Sequence, residues 1–217
     1  MSSTKVTEQI TPAGRKIEED SFAIVDREAG EHSYGPEEWQ VVRRMIHASA
    51  DFDFNGLVKF HPSAMRAGIA AVKAGAKVIA DVEMICVGLS KLRMEHFGMS
   101  AHQFISDEDV IAAARSANST RAVQAMRKAH RLGLLEGAIV VCGNAPTALL
   151  EVIRLVEEEQ VNPALIIGMP VGFVSAAESK AELARLQKTP WIVIEGRKGG
   201  SPLVVSTLHA IMTLANE

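Results

Sequence analysis

Five short runs of apolar, mostly β-branched residues punctuate the chain, at Gly56–Phe60, Lys77–Asp81, Ala138–Cys142, Ala164–Gly168 and Trp191–Ile194. Around them apolar positions recur with helical spacing over Pro36–Ala50, Ser63–Ala74, Asp107–Ala117, Ser119–Leu132, Pro146–Glu159, Ala176–Leu186 and Pro202–Leu214. Strand runs that alternate with helices are the pattern of a parallel sheet. Within the runs, as in Ile139-Val140-Val141-Cys142, hydrophobic residues follow one another without alternation, as in strands covered on both faces. The pattern therefore predicts an α/β protein, a three-layer α/β/α sandwich around a mainly parallel, doubly wound sheet. Three helix starts carry punctuation of their own. Asp107 follows Ser106, Asn144 precedes Ala145-Pro146, and Ser201 precedes Pro202, which supply capping side chains and early prolines.

With 217 residues, 47% of them hydrophobic, the chain has enough apolar material for one core, and it reads as a single domain over residues 1–217. Residues 1–14 are polar and are expected to form a flexible N-terminal extension. They lack a signal-type apolar stretch and no later segment is long enough to span a bilayer, so the expectation is a cytoplasmic protein with no membrane partner. A net charge of −3 provides no global basic field, which argues against nucleic acid as partner and requires any anion site to be local. Cys86 and Cys142 sit in apolar runs without metal-like or C-x-x-C spacing and read as reduced thiols.

Ligands of open parallel sheets collect beyond the carboxyl ends of the strands, where helix N-termini offer backbone N–H groups. Gly143-Asn144-Ala145-Pro146-Thr147 is a glycine turn with polar Asn144 and Thr147 at a helix mouth, although an ordinary turn explains it equally well. Met169-Pro170-Val171-Gly172 places small residues at the next strand end. Glu195-Gly196-Arg197-Lys198-Gly199-Gly200-Ser201-Pro202 is the stronger anion signal, because two cations and a helix start act together. Neither a P-loop nor a G-x-G-x-x-G fingerprint is present. The remaining candidate is Arg43-Arg44-Met45-Ile46-His47, where Arg44 and His47 are three apart and share a helix face. Beside a guanidinium and near a helix C-terminus, the His47 imidazole can exchange a proton near neutrality, and a bound carboxylate would favour its protonated form. A packed helix-end histidine bonded to a carbonyl is the plainer alternative. The other histidines lack metal-ligand spacing and no G-x-S-x-G elbow marks a serine nucleophile, so no metal is expected.

Together these stretches resemble the precorrin-8X methylmutases, also called cobalt-precorrin-8 methylmutases or precorrin isomerases, along nearly the whole chain. The resemblance is carried in order by Ile17-Glu18-Glu19-Asp20-Ser21-Phe22, Arg44-Met45-Ile46-His47-Ala48, Asp81-Val82-Glu83-Met84, Ser119-Thr120-Arg121-Ala122, Gly143 to Leu149, Gly168 to Val174 with Glu178-Ser179-Lys180, and Gly196 to Ser201. It implies a flavodoxin-like fold, a homodimer, and an isomerase of cobalamin biosynthesis that moves a methyl group from C-11 to C-12 of a tetrapyrrole, with no cofactor or methyl donor consumed. It further implies that His47 is catalytic and that Ser21 and Arg44 contact substrate, with Arg121, Asn144, Thr147, Arg197, Lys198, Gly199, Gly200 and Ser201 assigned to substrate binding. One departure is Pro202-Leu203-Val204-Val205-Ser206, where the family pattern is richer in alanine. Two readings from other classes stand beside the isomerase: a non-catalytic corrinoid carrier, and a binder of phosphate ligands through the Gly196–Ser201 loop.

Overall fold

The structure is a computed structural model that describes residue 9 and residues 11–217. Its first helix, α1 (Pro12–Glu28), begins inside the segment expected to be an extension: the Thr11 hydroxyl accepts the Gly14 N–H at 3.0 Å and Pro12 opens the first turn. The rest of that extension, residues 1–8 and 10, lies outside the described residues. The chain continues through α2 (Pro36–Ser49), the single turn α3 (Phe54–Leu57), β1 (Val58–Phe60), α4 (Ala64–Lys73), β2 (Val78–Ala80), α5 (Glu83–Gly88), α6 (Lys91–His96) and β3 (Ala101–His102). It ends with α7 (Glu108–Ser116), α8 (Arg121–Arg131), β4 (Ile139–Cys142), α9 (Pro146–Glu158), β5 (Leu165–Gly168), α10 (Ala176–Leu183), β6 (Trp191–Ile194) and α11 (Ser201–Ala215).

All five expected strands are present in one six-stranded sheet of order β1-β6-β5-β4-β2-β3. Counted alone, the five parallel strands lie in the order 2-1-3-4-5, the flavodoxin-like winding, with its switch point between β2 and β4. The sixth strand departs from that scheme. β1 runs antiparallel to β6, with Val58 opposite Ile194 and Phe60 opposite Ile192.

Period-two geometry divides the strand side chains between two cores. Ile139, Val141, Leu165, Ile167, Ile192 and Ile194 face Val42, Met45 and Ile46 of α2 and Leu208 and Ile211 of α11. Val140, Cys142, Ile166 and Val193 face Met126 of α8, Leu149 and Val152 of α9 and Leu183 of α10. This explains the unbroken apolar runs, since both faces of each central strand are covered.

Periodicity does not report α1, α5, α6 or β3. Helices α5 and α6 are six residues each, less than two turns, and β3 has two residues. Of the 17 residues of α1, Val25 alone is fully buried, so it presents no core-facing stripe.

Candidate active site

The antiparallel strand decides where α2 ends. Because β1 starts beside the last residue of β6, the chain leaving α2 arrives at the carboxyl edge of the parallel strands. The heads of α5 and α11 lie at the same edge, immediately after β2 and β6. Between these three helices lies a cavity of about 410 Å³ lined by Arg44, His47, Ala48, Met84, Gly88, Ser201, Pro202, Val205, Ser206 and His209. A second cavity of about 300 Å³ adjoins it through Arg44 and contains Glu18, Phe22, Arg43 and Arg93.

His47 occupies the last turn of α2, which closes at Ala50 in the left-handed region. Its side chain is exposed and makes no hydrogen bond among the described residues, unlike a packed helix-end histidine tied to a carbonyl. The Phe22 ring of α1 lies 4.9 Å from the imidazole at 57°. The guanidinium carbons of Arg43 and Arg44 lie 4.5 Å and 5.5 Å from the same ring centroid. Arg44 is paired with Glu18 at 3.3 Å, so α1 supplies both an aromatic neighbour for the histidine and a carboxylate for the arginine.

Ser201 opens α11 and is 5% exposed. Its hydroxyl makes no hydrogen bond among the described residues and lies on the wall of the cavity, where it is available to a ligand. The loop before it is packed too closely for side chains. A Cβ at Gly199 would lie 2.2 Å from the Met169 carbonyl oxygen, and one at Gly143 would lie 2.8 Å from the Cα of Ser201. Gly200 sits at φ 129° and donates its N–H to Met169 at 2.8 Å. The glycine turns after β4, β5 and β6 thus form one interlocked base beneath the head of α11. Val205, part of the departure from the family pattern, seats against Gly88, where a Cβ would meet it at 2.9 Å.

The switch point itself holds a protein carboxylate. Asp81, fully buried after β2, accepts the N–H groups of Gly143, Asn144 and Ala145 at 3.0, 2.8 and 2.6 Å. Burial raises its pKa, and the three N–H groups oppose that shift. The turn that resembled a ligand cradle is therefore occupied from within, and its geometry depends on Asp81.

The other expected site residues are dispersed. Ser21 donates its hydroxyl to the Ile17 carbonyl at 2.7 Å on its own helix, next to Phe22. Arg121, at the head of α8, and Thr147, in the first turn of α9, lie where Thr120 and Thr147 exchange a hydrogen bond of 3.0 Å. Asn144 is exposed at the switch-point turn. Arg197 lies over the exposed Phe173 ring at 5.6 Å. The Lys198 ammonium is bound by Asp51 and, at 2.7 Å, by Asp53, so it is not among the groups that line the His47 cavity. Arg44, His47 and Ser201 are brought together; Arg121, Asn144, Thr147 and Arg197 are not part of that cavity.

Sequence reasoning missed Phe22, His209, Met84, Gly88 and the Asp81 carboxylate as parts of the site. His209 accepts the Ser90 N–H on Nε2 at 3.0 Å, which fixes that nitrogen as unprotonated. An aspartate closing an apolar strand run is a signal that could have identified Asp81, and Phe22 and Met84 stand in stretches that carry the family resemblance; His209 and Gly88 have no such signal. Both cysteines are free thiols, and burial pushes both upward in pKa, which keeps them protonated. No cluster of metal-ligating side chains occurs among the described residues. No described helix is long and apolar enough to cross a membrane.

Comparison with known proteins gives a consistent pattern. The family model described as precorrin-8X methylmutase matches residues 16–214. The cobalt-precorrin-8 methylmutase of Leptospira interrogans is 50% identical, over 96% of this chain and 97% of its own length. The precorrin-8X methylmutase of Pseudomonas aeruginosa is 36% identical, over 92% and 95%. A crystal structure of precorrin-8x methyl mutase from Thermus thermophilus superposes with a TM-score of 0.87 at 48% identity, covering 93% of this chain and 96% of the other.

Proposed function

Because the chain belongs to the precorrin-8X methylmutase family, an isomerase family of cobalamin biosynthesis, we propose that it moves a methyl group from C-11 to C-12 of precorrin-8X or cobalt-precorrin-8, giving hydrogenobyrinate or cobyrinate. The observation that carries this reading is the meeting of His47, Arg44 and Ser201 in one cavity at the carboxyl edge of the sheet. His47 is the acid. It gives a proton to the conjugated ring, the methyl group migrates between adjacent carbons as the electrons shift, and the proton returns to the imidazole, so nothing is consumed. Arg44 grips a peripheral carboxylate in place of Glu18, and the Ser201 hydroxyl offers a further hydrogen bond beside the head of α11. Ser21, Arg121, Asn144, Thr147 and Arg197 contact parts of the macrocycle beyond the cavity. Lys198, Gly199 and Gly200 act through the loop that presents Ser201. Exposed apolar side chains, among them Val87, Phe173 and Val174, support a homodimer in which a second copy covers part of this edge.

The test is turnover of the cobalt-free and cobalt-bound substrates, followed in the visible spectrum. General acid–base catalysis is worth about 10²–10⁴-fold, so His47→Ala should lose that much kcat with little change in binding. Near-normal turnover by His47→Ala would remove the histidine from the chemistry. Wild-type protein that binds either macrocycle without converting it would favour the carrier reading instead.

A further inference from the structure

Lys180 of α10 is 1% exposed and heads the fully buried side chains in volume. Its ammonium donates to the Lys198 carbonyl at 2.6 Å, and no carboxylate pairs with it among the described residues. Burial alone draws its pKa down to about 8. An interior cation without a counter-ion is costly, and such groups concentrate where function requires them.

Its acceptor lies within the loop that delivers Ser201. Lys198 precedes Gly199-Gly200-Ser201, and its own ammonium is held by Asp51 and Asp53, just past the end of the helix that bears His47. The loop is thus fastened from α10 through its backbone and from the end of α2 through its side chain. Gly199 and Gly200 lie against the Met169 carbonyl, so a shift of Lys198 is carried directly into the head of α11.

We propose that Lys180 is a positioning residue of the active site: by holding the Lys198 carbonyl it sets Gly199-Gly200-Ser201, and with them the placement of Ser201 relative to His47. The proposal rests on the reading that the His47 and Ser201 cavity receives the substrate.

Steady-state kinetics of Lys180→Met, Lys180→Arg and Ser201→Ala test it. Lys180→Met should raise KM about tenfold and change kcat less than about threefold, as expected when a contact shared by ground and transition states is lost. Lys180→Arg, which retains a cationic donor, should recover most of the loss. A folded Lys180→Met enzyme with unaltered KM overturns the proposal, as does an arginine variant no better than the methionine one. If Ser201→Ala raises KM and Lys180→Met does not, the clamp alone fails. If Ser201→Ala has no effect, the binding reading of this loop fails and takes the proposal with it. Should Lys180→Met not fold, amide hydrogen exchange in the wild-type protein decides: slow exchange at Gly199, Gly200 and Ser201 is expected, and exchange at the rate of an unstructured peptide overturns the clamp.

Discussion

The Phe22 ring sits 4.9 Å from the His47 imidazole, and its centroid also lies 4.5 Å from the Arg43 guanidinium carbon. One side chain of α1 therefore packs against both the proposed acid and a neighbouring cation. A tilted aromatic pair of this kind contributes about 0.5–1.5 kcal/mol beyond area burial. Phe22→Ala should lower kcat by about two- to tenfold by that measure, while Phe22→Tyr keeps the ring and should stay near wild type. Equal kcat in the alanine variant and the wild type would show that the imidazole needs no brace.

Glu18 holds Arg44 in a partly exposed ion pair at 3.3 Å. If Arg44 is to take a substrate carboxylate, Glu18 must first give it up. Such pairs are worth about 0.2–1 kcal/mol, so Glu18→Gln should lower KM about 1.5- to fivefold, and Arg44→Ala should raise it. A higher KM in Glu18→Gln would mean that the glutamate supports binding.

The lowered pKa of Lys180 makes a pH prediction of definite sign. Between about 8, where the folded lysine loses its proton, and 10.5, the ordinary value, the unfolded chain binds the proton that the folded chain has released. Lys180 by itself then makes the unfolding free energy rise with pH across that window, whereas the raised thiols of Cys86 and Cys142 act in the opposite sense, so the comparison with Lys180→Met carries the sign. The contribution amounts to about 3 kcal/mol over the whole interval and should be absent in Lys180→Met. Urea unfolding of both proteins from pH 7 to 10.5 checks it. Parallel curves would show that Lys180 titrates normally.

Asp81 accepts three backbone N–H groups with two oxygens, which an asparagine cannot do, since its amide nitrogen would confront a donor. Asp81→Asn should cost about 1–3 kcal/mol of stability, the penalty for a buried donor left unpaired. It should also loosen the Gly143–Ala145 turn, against which the head of α11 is packed. Denaturant midpoints unchanged by the substitution would contradict this account.

Much of the molecule was legible in the chain. Continuous apolar runs such as Ile139 to Cys142 identified the buried strands, because the two-sided burial of a parallel strand is written in consecutive residues. Spacing on α2 placed Arg44 and His47 on one face, and Ser201-Pro202 after the glycine loop marked the start of α11. What the chain by itself did not contain is the direction of β1, set by pairing with β6 across more than a hundred residues. That pairing carries the end of α2 to the carboxyl edge and so makes His47 a neighbour of Ser201. Nor could local pattern distinguish a cation that lines the cavity from one already engaged: Lys198 lies in a glycine loop as an anion-binding lysine would, and Asp51 and Asp53 reach it through tertiary structure. Helical and strand periods are properties of neighbouring residues, whereas the charge state, pairing and exposure of a side chain are decided by groups that folding brings from elsewhere.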